Sequence, residues 1–116
     1  MRRLYTATTL PDGQRVRLRL PHRFDGAPLR ALHQRLGLEA DDLLLGRVIR
    51  FDPRERVAVV ATLLAGHSEN IVGLAVMDRH AGDADLVLAD EEQAPGVGAF
   101  LEAALRTHTQ SARRIA

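Results

Sequence analysis

Three apolar runs lie so close together in this chain that their connections settle how they pair. Residues 56–64 (RVAVVATLL), 71–79 (IVGLAVMDR) and 85–89 (DLVLA) are separated only by Ala65 with the turn-like segment GHSEN, and by HAGDA. A parallel crossover needs about a dozen residues or more, so strands joined this tightly run antiparallel. The runs are apolar at nearly every position, as strands covered on both faces are. The middle of the chain therefore reads as a meander of three strands.

Ahead of it, QRVRLRLP follows a PDG turn and alternates strictly, with Arg15, Arg17 and Arg19 on one side and Val16, Leu18 and Leu20 on the other. That is the period of a half-buried strand, its arginine side a solvated outer face. FDGAPLRALHQRLG then supplies Asp25 as a helix cap, Pro28 in the first turn, Leu29, Leu32 and Leu36 at helical spacing, and Gly37 as a stop. LEADDLLLGRVIRF predicts a second helix with a stripe of Leu44, Leu45, Val48 and Ile49. After the meander, VGAFLEAALRTHTQSARR places Phe100, Leu101, Ala104 and Leu105 on one helical face. The order is β-α-α-β-β-β-α: an α+β fold, with a mainly antiparallel four-stranded sheet flanked by helices, in a single domain of 116 residues.

Composition narrows the function. Sixteen basic residues against fifteen acidic ones leave a formal charge of +1, without the basic excess of a nucleic-acid module. No cysteine is present, which excludes disulfides, thiolate metal sites and a cysteine nucleophile. No apolar run is long enough to span a bilayer, and MRRLYTATTLPDG has no apolar stretch behind its arginines, so a cytoplasmic protein without membrane contact is expected. His22, His33, His67, His80 and His108 show no metal-ligand spacing and read as solvated or capping histidines, and no metal is expected. Ser68 and Ser111 have no nucleophile elbow or base beside them.

The segment DEEQAPGVGAFLEAAL, residues 90–105, is the candidate for chemistry. A helix start exposes unpaired N–H groups at the positive end of the helix dipole, and Gly96 and Gly98 let a pyrophosphate approach the backbone there. A dinucleotide fingerprint would need a third glycine where Leu101 stands, in an early strand-helix-strand unit. A P-loop would need a lysine, and the chain has none.

Gln93-Ala94-Pro95-Gly96-Val97-Gly98 resembles the Gln/Arg-x-x-Gly-x-Gly/Ala acetyl-CoA loop of the GNAT acetyltransferase superfamily. The preceding order of one strand, two helices and three strands is similar to the front half of that fold. DGQRVRLRLPHRFDGAPLRALHQRLG, ERVAVVATL and ENIVGLAVMDR are similar to the acetyltransferase domains of bacterial protein lysine acetyltransferases. The resemblance implies acetyl-CoA as co-substrate, an amine as acceptor, and a coenzyme site at Gln93 and the backbone amides of Ala94, Gly96, Val97, Gly98 and Ala99. It implies pairing of the pantetheine arm with the main chain of Leu86 and Leu88, and general-base assistance from Asp83, with Asp85 two positions on.

The chain departs from the family pattern at several points. Pro95 has no N–H to offer the cradle, and Asp90, Glu91 and Glu92 bring negative charge to a loop meant for an anion. A complete domain of the family continues into a fifth strand, a helix often carrying a Tyr acid, and two more strands. Here SARRIA stands where the fifth strand would begin, and the only tyrosine is Tyr5, so a domain truncated after the loop helix is expected. A DLVLA edge without its neighbour would associate with a second copy or a complementing chain. The alternative expectation is a catalytically inactive remnant that binds a partner through that edge.

Overall fold

The computed structural model describes residues 7–50, 52, 54–65, 68–78 and 84–115. Its strands are β1 (Ala7–Thr9), β2 (Arg15–Arg19), β3 (Arg56–Ala65), β4 (Ser68–Asp78) and β5 (Ala84–Ala89). A 3₁₀ turn at Arg23–Asp25 leads into α1 (Gly26–Arg35), which is followed by α2 (Asp42–Ile49); α3 (Val97–Ile115) closes the described chain. The fold is α+β, and every strand pair is antiparallel, in the order β1-β2-β3-β4-β5.

The sheet has five strands where four were expected. β1 is three residues long, too short to show a period, and it exists because the turn folds it back onto β2 with Thr8 opposite Val16. Pro11 and Asp12 form the bend, and Gly13 takes the positive φ of 92° that closes a three-residue hairpin loop. β4 begins at Ser68, inside the segment expected to be a turn.

Helices cover both faces of the sheet. Val16, Leu18, Val57, Val59 and Met77 are buried on one face together with Val97, Leu101 and Leu105 of α3. Ala58, Val60, Leu74 and Val76 are buried on the other with Leu29 and Leu32 of α1 and Leu45 and Val48 of α2. Each fully buried leucine or valine in these layers stabilises the fold by about 1.5–3 kcal/mol. Successive residues of β3 serve opposite layers, so a strand between two helical layers reads as a continuous apolar run. In the β3–β4 register, Ala61 faces Gly73 but Thr62 faces Ile71, which makes Val72 the extra residue of a bulge.

The arginine side of β2 is solvated only in part: Arg15 is exposed and Arg17 half-exposed, but Arg19 is not. Arg19 retains only 11% of its side-chain exposure and donates to both carboxylate oxygens of Asp25 (2.8 and 2.9 Å) and to Glu69 (2.9 Å). Arg17 also pairs with Glu69. Asp25 stands at the start of α1, but its side chain makes no cap bond there. It accepts from Arg19 and from the backbone N–H of His22 (2.8 Å) instead. These carboxylates pair with Arg17 and Arg19, so alternation correctly gave the apolar side, while its solvated reading of the other side holds for Arg15 and fails for Arg19.

Candidate functional site

The segment that follows β5 is held at its root by Asp90. Its backbone N–H donates to Val72 O (2.8 Å), extending the β4–β5 ladder by one bond. Its buried carboxylate accepts from Arg35 Nε (2.9 Å) at the end of α1 and from the backbone N–H of Gln93 (3.2 Å). Arg35 also donates to Ile71 O (2.8 Å), so one guanidinium ties the helix, β4 and the loop together. Ala94 N–H then donates to Asp90 O (2.9 Å), and the buried Ala94 side chain turns the loop into the α3-side core.

Two backbone amides of the loop converge on one carboxylate. Gly96 N–H donates to Glu91 Oε1 (3.1 Å) and Gly98 N–H to Glu91 Oε2 (2.9 Å). Val97 N–H donates to Ala94 O (3.1 Å). Of the five amides expected to receive a pyrophosphate, those of Ala94, Gly96, Val97 and Gly98 are thus already engaged within the chain. The three acids differ in their surroundings: Asp90 is paired with Arg35, Glu91 bonds the amides, and Glu92 is exposed outside this network.

Both glycines also have packing reasons to be glycine. Gly96 has φ 95°, a conformation that side chains avoid, and a Cβ there would lie 3.2 Å from Pro11 Cδ. A Cβ on Gly98 would lie 3.2 Å from Ala89 Cβ and 3.4 Å from Glu91 Oε2. The β1–β2 hairpin tip therefore rests on the loop, and Gln14 Nε2 donates to Gln93 O across it (2.7 Å). Backbone and side-chain N–H bonds from Gln14 hold the Asp12 carboxyl below the usual carboxylate range, which leaves a second negative charge beside the cradle.

β5 pairs with β4 on one side, and among the described residues no strand covers its other edge. Because Asp90 bonds Val72, the two-residue period of the ladder turns the N–H and C=O groups of Leu88 and Leu86 toward β4 as well. The groups that point to the free edge belong to Val87 and Ala89. An extended arm laid along this edge would bond those residues, one position from the expected Leu86 and Leu88. Asp85 is the extra residue of a second bulge, since Met77 faces Ala84 while Val76 faces Leu86. Asp83 lies outside the described residues.

The two histidines whose side chains are described, His22 and His33, serve separate structural roles. His22 caps the 3₁₀ turn by accepting from Phe24 N–H (3.2 Å). His33 is buried, contrary to expectation, and its Nδ1 lies 2.7 Å from Leu29 O, so that nitrogen carries the proton and donates. His67 and His80 lie outside the described residues. Among the described residues no three His, Asp or Glu side chains are grouped to hold a metal ion, and no helix is long and apolar enough to cross a membrane.

Arg35, Gln14 and the role of Glu91 were not foreseen. Arg35 and Asp90 are 55 positions apart, and Gln14 and Gln93 are 79 apart, so no local pattern announces either contact. Glu91 did carry a signal: an acid just before a helix start is a common partner for unpaired amides. Comparisons of the chain with protein-family models, with characterised proteins and with solved structures return no match.

Proposed function

We propose that this chain is a GNAT-like, acetyl-CoA-binding module of the cytoplasm that transfers an acetyl group to an amine, a protein lysine being one such acceptor. The observation that carries the proposal is the convergence of Gly96 and Gly98 N–H on a single anionic group at the head of α3. A phosphate oxygen recruits donors of the same kind. The free groups of Val87 and Ala89 lie along the strand that leads into that loop, where an amide-bearing arm can extend the sheet. In the transfer, the amine attacks the thioester carbonyl, the C–S bond breaks, and the coenzyme leaves as thiolate. Asp83, or Asp85 at the β5 bulge, takes the proton that the amine must lose.

The test is thermal unfolding of the chain with increasing acetyl-CoA. A ligand that binds only the folded state adds about 2.7 kcal/mol at a hundred times its Kd, so a saturable rise in Tm is expected. An unchanged Tm up to millimolar acetyl-CoA would refute coenzyme binding.

A second function is favoured by one specific observation, the occupation of the loop amides by Glu91. A chain whose cradle stays closed serves as a non-catalytic interaction module, and the open edge of β5 is its contact surface, for a second copy or for another protein chain that adds a strand. It shows no acetyl-CoA response and a partner-dependent one.

A further inference from the structure

We infer that Glu91 is an internal latch on the loop, an occupant that an incoming pyrophosphate displaces; the inference rests on the loop being the coenzyme site. The carboxylate takes one amide on each oxygen, reaching five residues ahead to Gly96 and seven ahead to Gly98. An ordinary N-cap side chain bonds an amide only two or three residues ahead, so this contact spans the loop and does more than end a helix. It also offers the amides what a phosphate would offer, namely two acceptor oxygens and a negative charge at the positive end of the helix dipole.

The surroundings let this latch open in place. Glu91 is exposed, so release buries and unburies little. Among the described residues no cation is paired with it, because Arg35, the cation at the root of the loop, is held by Asp90. The rest of the loop stays fixed while Glu91 moves, with Asp90 bonded to Val72, Ala94 buried in the core and Gln93 O held by Gln14. Apparent affinity for the coenzyme falls in proportion to the fraction of molecules whose amides are released. Glu91 therefore stabilises the fold and opposes the ligand through the same two bonds.

The experiment is calorimetric titration of acetyl-CoA into the full chain, Glu91→Gln and Glu92→Gln, with circular dichroism to establish that each is folded. Glu92→Gln makes the same change in net charge without touching the amides. Glu91→Gln is expected to bind roughly tenfold more tightly than the unaltered chain, as follows from losing a charge-assisted contact, while its Tm without ligand falls. Glu92→Gln is expected to change the affinity by less than about twofold, since exposed charges are screened. Equal affinities for the unaltered chain and Glu91→Gln would overturn the latch and leave the coenzyme site standing. Absence of binding by all three at millimolar acetyl-CoA, with Glu91→Gln folded, would overturn the site and the latch together. Should Glu91→Gln fail to fold, Glu91→Asp keeps the charge but draws the carboxylate back by one methylene, and a gain in affinity in the same direction is expected.

Discussion

Asp25 titrates at lower pH in the folded chain than in the unfolded one. Burial opposes its charge, but the Arg19 guanidinium, the His22 N–H and the nearby positive charge together outweigh that opposition and hold the carboxyl below the usual range. Between the folded and unfolded pKa values the unfolded chain binds more protons, so stability rises with pH there. The contribution is complete above the ordinary aspartate value of about 3.9 and is lost as pH falls through the lower, folded value. Asp25→Asn is expected to cost about 3 kcal/mol near pH 7, because it leaves Arg19 with Glu69 as its remaining carboxylate partner. It should also flatten the loss of stability on acidification, and urea midpoints between pH 2 and pH 6 check both. The sequence placed Asp25 at a helix start, which is where it stands, but its carboxylate makes no cap bond to α1 and instead completes the capping box of the 3₁₀ turn with His22. Its true partner, Arg19, is assigned by packing: the 3₁₀ turn delivers the carboxylate over the end of β2.

The elements differ in how much of them a local pattern can show. α3 starts at Val97 and buries Leu101 and Leu105, as its periodicity predicts, and α1 ends just before the predicted stop at Gly37, which has φ 74°. The bulge in β4 left no such trace, although it decides how α3 sits. Gly73, next to the extra residue Val72, lies directly beneath Leu101, and a Cβ there would come within 2.6 Å of Leu101 Cδ1. Leu88 O at 3.3 Å and Ala61 Cβ at 3.4 Å close the other directions. Gly73→Ala is expected to destabilise by about 1–3 kcal/mol through overpacking. In a double-mutant cycle, Leu101→Ala makes room for the new methyl group, so the pair should cost clearly less than the sum of the two single changes. Additive urea-denaturation values would show that the two residues do not compete for that space.

At the scale of the whole molecule, the consequential feature is the edge of β5, which no strand covers among the described residues. If two copies, or one copy and another chain, join there, Val87 supplies an outward N–H that the β4 ladder does not use. Val87→Pro removes that donor, and an edge strand tolerates proline where the N–H faces outward. Where this edge serves as an interaction surface and not as the seat of a coenzyme arm, the chain is expected to sediment as a dimer at micromolar concentration and Val87→Pro as a monomer with an unchanged circular dichroism spectrum. A monomer before substitution would exclude self-association through this edge, and a dimer that survives it would place the contact elsewhere.

What the sequence determined by itself is whatever depends on neighbours along the chain. The alternation of Val16 and Leu18, the helical recurrence in α1 and α3, and the turns too short for a crossover were sufficient for an α+β fold with an antiparallel meander. The glycine-bearing loop at the head of α3 was legible in the same way, because helix starts and their glycines are local features. Tertiary structure alone decided what the loop's amides face, which groups of β5 point outward, and that Arg19 of β2 is paired and buried rather than solvated. Each of those depends on strand register or on partners tens of residues apart. Hydrogen bonds and ion pairs form wherever the folded backbone brings a donor to an acceptor, and no spacing along the chain records that meeting.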